Sequence, residues 1–261
     1  MEQKTLRKFL SFGNVLALII TLGINALANI IPIGGNTTGE VSGQYPSLFT
    51  PAGITFSIWG LIYLLLLLFA VYQTLCSFKQ KEVSFVKKIG GWFIGASAAN
   101  CLWIIAWHNE QILLSWFLII ALLVSLIGIY LSLNIGNSFK NAPERYFVHL
   151  PFSIYLGWAS VATIANTVIL FIHQGWQIFG LTDVFWTVLL LVITIILGLF
   201  VMLKRNDIYF ALVIDWALIG ILIKHLSMQG DLLYPIAGIT VTGLVLITAG
   251  IVMQIFRGKV Y

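Results

Sequence analysis

Apolar runs of bilayer length recur along this chain, and that repetition constrains the fold more than any other feature. Lipid offers no hydrogen bonds to the backbone, so runs of roughly 17 to 25 apolar residues cross a membrane as α-helices. About eight such runs can be read: Leu10 to Ile31, Ala52 to Thr74, Ile89 to Trp107, Ile112 to Leu133, Phe147 to Ile172, Val184 to Leu203, Ile208 to Ile223 and Leu233 to Phe256. With 60% apolar and 9% charged residues over 261 positions, too little polar surface exists to cover a water-soluble domain. The expected fold is all-α, a polytopic membrane helix bundle of about eight transmembrane helices.

The basic residues give this bundle a direction, because cytoplasmic loops retain Lys and Arg while translocated loops lose them. Lys4, Arg7 and Lys8 precede the first run, and Lys79, Lys81, Lys87 and Lys88 follow the second. Lys140 and Arg145 follow the fourth, Lys204 and Arg205 the sixth, and Arg257 and Lys259 the eighth. Of the 14 basic residues only Lys224, at the end of the seventh run, falls on the other side. Both termini are therefore expected in the cytoplasm of a cell with a bacterial type of membrane, and the net charge of +5 needs no nucleic acid to explain it. The first run also fits a signal peptide, since Ala26-Leu27-Ala28 resembles a cleavage site. Its length, and Asn25 and Asn29 within it, favour a helix that meets polar neighbours instead.

Connections are short, and the bundle is expected to be compact. The longest outer segment, Pro32 to Thr50, contains turn chemistry at Gly34-Gly35-Asn36 and stiffening prolines at 46 and 51. Asn36-Thr37-Thr38 is a glycosylation sequon that matters only in a secretory-pathway host. Gly91, Gly95 and Ala99 recur at every fourth residue of the third run, and Ala159 and Ala162 lie beside Trp158 on the fifth, so both are expected at the centre. The sixth run, rich in Leu, Ile and Val, reads as lipid-facing. Cys76 and Cys101 fall on different helices and suggest neither a disulfide nor a metal pair.

Polar and aromatic side chains inside the runs form stripes. Trp59 and Tyr63 are four apart, Asn100 and Trp103 three apart, and Tyr155, Trp158, Ala162 and Asn166 share one face of the fifth run. Turned inward, such faces make a pocket walled by rings, with a few amides to orient a ligand. Trp107, Trp116 and Trp176 sit near run ends, where an interfacial belt is the expected role. Asp215 is the carboxylate deepest in a run and a candidate proton or cation site, its alternative role being a protonated fastener between helices. Lys224 does not fit a retinal Schiff base, since Asp215 lies nine residues away rather than one turn. The outer groups Glu40, His108 with Glu110, His173 with Asp183, and His225 with Asp231 have no metal-ligand spacing on a single helix, so no metal site is expected.

Three motifs together resemble the TspO/MBR family of translocator or tryptophan-rich sensory proteins. Thr50-Pro51 followed by Trp59-Gly60-Leu61-Ile62-Tyr63 is similar to that family's proline-led second helix with W-x-x-x-Y; Asn100-Cys101-Leu102-Trp103 resembles its N-x-x-W; and Tyr155-Leu156-Gly157-Trp158, with Asn166 eight residues on, resembles its Y-L-x-W and Asn on the fifth helix. The resemblance covers about residues 10 to 172. It implies a five-helix ligand-binding core over 1–175 with three additional helices over 176–261, and Trp59, Tyr63, Asn100, Trp103, Trp158 and Asn166 as ligand-binding residues. It implies a hydrophobic aromatic ligand, porphyrin, tetrapyrrole or sterol-like, under the loop after the first helix. A bound tetrapyrrole is the cofactor to test for, and the small molecule, the lipid bilayer and a second copy of the chain are the expected partners. No catalytic residue can be named, so sensing or ligand handling stands ahead of an enzyme acting on the bound porphyrin. A proton- or cation-coupled transporter using Asp215 is the alternative. Two departures are plain: Pro32 to Thr50 carries Glu40 and no Lys or Arg where the family's loop is commonly basic, and three helices follow the fifth.

Overall fold

The computed structural model describes residues 2–31, 35–78, 84–137, 141–175, 180–227 and 234–258. Trp176, Asp231, Lys79, Lys81, Lys140 and Lys259 lie outside the described residues. Among the described residues the chain is helical apart from its connections, with no strand. The helices are α1 (Glu2–Ile30), α2 (Thr38–Gly43), α3 (Ile58–Phe78), α4 (Phe85–Ile89), α5 (Trp92–His108), α6 (Ile112–Leu133), α7 (Ala142–Glu144), α8 (Leu150–His173), α9 (Asp183–Arg205), α10 (Ile208–Ser227) and α11 (Tyr234–Phe256). A 3-10 turn, Gly53–Ser57, leads into α3.

Among the described residues seven stretches are long and apolar enough to cross a membrane: Thr5–Ile30, Gly53–Ser77, Ile112–Leu133, Ala142–His173, Asp183–Arg205, Ile208–Ser227 and Tyr234–Phe256. The chain is a multi-pass membrane protein. The run Ile89 to Trp107, expected as a further span, is one helix from its fourth residue on: α4 ends at Ile89, Gly90 takes a φ of 54°, open to glycine, and α5 then runs for 17 residues, Trp92–His108. At about 1.5 Å per residue that helix is roughly 25 Å long, at the short limit for a bilayer. It packs between α1 and α6.

Polar pairs locate α1, since apolar side chains gain little by leaving lipid for one another. Ser11, Asn14, Thr21 and Asn25 fall on one face and are buried. Ser11 meets the Ser77 hydroxyl at 2.9 Å and Asn14 donates to Gln73 Oε1 at 3.1 Å, both on α3. Further along, the Cys101 thiol donates to Thr21 Oγ1 at 3.5 Å and Asn25 donates to Asn100 Oδ1 at 2.7 Å, both on α5. The opposite face exposes Phe9, Phe12, Ile19, Ile20 and Leu27. Helix α9 turns Phe185, Ile193, Ile196, Phe200 and Leu203 outward.

Proline shapes the start of α8. Pro151 lacks the N–H that a regular helix would use there, and the preceding Arg145–His149 segment is wound as a π-helix, with Leu150 N–H donating to Arg145 O. At the same end Asp207 is fully buried and joins three helices. It accepts from Tyr130 Oη on α6 at 2.8 Å, from Ser153 Oγ on α8 at 2.7 Å, and from the N–H groups of Tyr209 and Phe210 at 3.1 Å, capping α10. Burial pushes its carboxyl up from the ordinary value, and the Ser153, Phe210, Tyr130 and Tyr209 bonds oppose that push. Removing the carboxylate would strand two hydroxyls and two backbone donors. Asp207→Ala is expected to destabilise the protein by about 3 kcal/mol or more, read as a lowered midpoint in a detergent thermal-unfolding assay, with Asp207→Asn less affected.

Candidate functional site

The ring stripes of three helices converge at the end of the bundle where α2 lies. On α3, one helical turn separates Trp59 from Tyr63, and the rings stack with centroids 5.7 Å apart and planes at 19°. On α5, Trp103 stacks on Trp107 at 6.1 Å and 22°, and reaches Trp59 at 5.7 Å. From α8, Tyr155 and Trp158 meet Trp59 edge-on at 5.9 and 6.3 Å. Phe56 of the 3-10 turn closes on Trp158 edge-on at 5.9 Å. Trp59 thus contacts rings from its own helix and two others, each contact contributing about 0.5 to 1.5 kcal/mol beyond burial.

These rings leave a narrow cavity. Trp59, Trp103, Trp107, Trp158 and Phe56 line it, with Thr38 and Ser42 of α2, Pro51, and Val161, Ala162, Ala165, Asn166 and Ile169 of α8. Its free interior is about 30 Å³, room for one or two waters, inside an envelope of about 420 Å³ that includes its open mouth. Toward the other end of the bundle Phe69, Phe93 and Phe152 pack ring against ring at 5.0 to 5.9 Å and close the interior.

The six residues taken from the motifs separate into two layers. Trp59, Trp103, Trp158 and Asn166 line the cavity, whereas Tyr63 and Asn100 are not among its lining. Tyr63 backs Trp59, and Asn100 spends its oxygen on Asn25. Asn166 pairs with Ser115 of α6 at 3.4 Å. Two buried indole N–H groups of this site, Trp103 Nε1 and Trp158 Nε1, have no hydrogen-bond partner, while the Asn100 side chain is engaged with the Tyr63 and Tyr155 hydroxyls. An indole N–H can only donate.

Trp107 corrects the belt expectation. It is 3% exposed, lines the cavity, and donates from Nε1 to Thr38 O at 3.2 Å. Its signal was available, for Asn100, Trp103 and Trp107 recur at steps of three and four on one face of α5. Trp116 is half-buried and donates to Thr167 Oγ1 at 2.9 Å, fastening α6 to α8. Phe56, Thr38 and Ser42 escaped sequence reading because they belong to no transmembrane stripe. Helix α2 is held over the cavity by Thr38, whose hydroxyl lies 3.0 Å from His108 Nε2 and 3.3 Å from Asn29 Oδ1.

Helix α10 holds the strap that joins α2 to α3. Lys224 donates to Ser47 O at 2.8 Å, His225 Nε2 lies 2.9 Å from Leu48 O, Ala52 N–H donates to Gly220 O at 3.0 Å, and Trp216 Nε1 donates to Thr55 O at 2.9 Å. Gly220 lacks a Cβ where Thr55 presses against the helix. Asp215, one residue before Trp216, is not among the cavity lining. Its Oδ2 accepts from Thr248 of α11 at 3.0 Å, and Oδ1 is buried without a partner.

A larger side chain at 220 must displace Thr55 and with it Phe56. Gly220→Val is expected to shift tryptophan emission to longer wavelength and increase acrylamide quenching. Gly238→Ala on α11, where a Cβ meets nothing within 4 Å, should leave both unchanged.

Comparison with curated proteins and with solved structures finds no match. A family model does match: that of the TSPO-like proteins, over residues 10–255, which takes in the three helices beyond the motif-bearing five. With nearly its whole length matched, the chain belongs to the TSPO-like protein family.

Proposed function

We propose that this protein binds a hydrophobic, ring-containing small molecule, of the porphyrin or sterol-like kind, in the tryptophan-lined cavity beneath α2, and acts as a sensor or handler of that ligand. The observation that carries this reading is the pair of buried indole donors, Trp103 Nε1 and Trp158 Nε1, left unpaired on residues that line the cavity. A buried donor without a partner costs about 1 to 3 kcal/mol. Two on the walls of one cavity call for acceptor atoms that a ligand, or waters it displaces, can supply. Ring faces supply the remaining affinity, since a flat ligand can replace the tilted contact of Trp59 with Trp103. The small free interior means that binding parts these rings, and α2, a six-residue helix held largely through Thr38, is the element able to move with them. By the charge pattern α2 faces the outside of a bacterial cytoplasmic membrane, and the ligand arrives from that side.

Asp215 supports a second reading, proton- or cation-coupled transport. A carboxylate in a membrane-spanning helix with one oxygen unpartnered is poised to take up a proton or a cation. It stands beside Trp216, which grips the strap, so α10 joins the two sites.

For the binding reading, protoporphyrin IX dimethyl ester is expected to quench the tryptophan fluorescence of the purified protein saturably. Trp158→Ala and Trp103→Ala should each weaken that binding by roughly tenfold or more, an edge or face contact plus lost burial area. Unchanged binding in both variants overturns the assignment. For the transport reading, proteoliposomes should show pH-gradient-driven substrate flux that Asp215→Asn abolishes; flux indifferent to that substitution removes Asp215 from any such role.

A further inference from the structure

A second hollow adjoins the cavity. It lies between the end of α1, α2 and the 3-10 turn, is lined by Asn29, Thr37, Glu40, Phe56 and Ser57 among others, and has about 400 Å³ of free space. Phe56 belongs to the walls of both hollows, so its ring is the partition between them. The cavity is apolar with unpaired donors; the groove is polar and open.

The groove carries one charge. Glu40 is the ionisable residue in its lining, and between Lys8 and Lys79 the sequence has no Lys or Arg. The carboxylate is held by a capping box: Thr37 N–H donates to Glu40 Oε2 at 2.7 Å, and Glu40 N–H donates to Thr37 Oγ1 at 3.4 Å. These bonds to Thr37 keep its carboxyl below the ordinary glutamate value. Lys224 of α10 is committed to Ser47 O and does not line the groove.

We infer that cavity and groove form one bipartite site for a ligand whose flat apolar part lies among the tryptophans and whose polar end, seated beside Glu40, is neutral or cationic rather than a carboxylate or phosphate. The inference rests on the ligand-binding reading above and names the charge class of its ligand. Phe56 swings aside for a molecule that spans both hollows. An anionic end would face a fixed carboxylate with no counter-charge from the segment that covers the site, whereas an ammonium or a hydroxyl would gain an acceptor.

One ring system in three charge states tests this: protoporphyrin IX with both carboxylates free, as its dimethyl ester, and as the bis-amide bearing two primary ammonium groups. At low salt the ammonium and ester forms are expected to bind the full-length protein in detergent roughly tenfold or more tighter than the dicarboxylate, and the gap should shrink in high salt. Glu40→Gln, which keeps the capping box, should narrow the gap, and Glu40→Lys should reverse it. A dicarboxylate that binds as tightly as the ester, with neither substitution changing the order, overturns the inference while binding that depends on Trp158 keeps the pocket reading. Binding of all three forms that ignores Trp158→Ala overturns both.

Discussion

In lipid the helices of this protein gain almost nothing by hiding one apolar surface from another, so what holds them in register is the pairing of polar groups that the hydrocarbon cannot satisfy. Each such pair joins specific helices. Asn14 with Gln73 sets α1 on α3, Asn25 with Asn100 sets α1 on α5, Trp116 with Thr167 sets α6 on α8, and Asp207 ties α6, α8 and α10 at one end. The same requirement makes its exceptions informative. The indole N–H groups of Trp103 and Trp158, both on the wall of the cavity, are two such exceptions.

Much of this was legible from residue order, because membrane length and helical spacing are local properties. Apolar runs located the helices, and steps of three and four placed Trp59, Trp103, Trp158 and Asn166 on faces that do converge. What could not be read was whatever depends on a partner distant in sequence. Asp207 stands in the short connection between α9 and α10, yet its side-chain donors come from residues 130 and 153. Phe56 and Thr38 gave no signal, since a 3-10 turn and a six-residue helix have no periodicity long enough to show a face. The turn at Gly90 separates the Lys87-Lys88 end of α4 from α5 and falls one residue inside the run read from Ile89.

The three C-terminal helices illustrate the same point. By composition they are further membrane spans, and Lys224 and His225 read as outer-surface groups. In the fold, α10 packs on α8 and grips the strap from Ser47 to Thr55 with two side chains at its tip, a backbone carbonyl and an indole. The polypeptide that leads into Trp59 is therefore stretched between α2, which belongs to the lid, and α10, which belongs to the added helices.

Phe69, Phe93 and Phe152 add a consequence of their own. They pack ring against ring beyond the tryptophans and take no part in the cavity lining. On the ligand-binding reading proposed above, a guest would arrive and depart through one mouth, past Phe56 and α2. A change that raises only the barrier at that mouth would slow arrival and departure together and lengthen residence, whereas one that also resists the parting of the rings would weaken binding, so the timing of occupancy and its strength respond to different parts of the same wall.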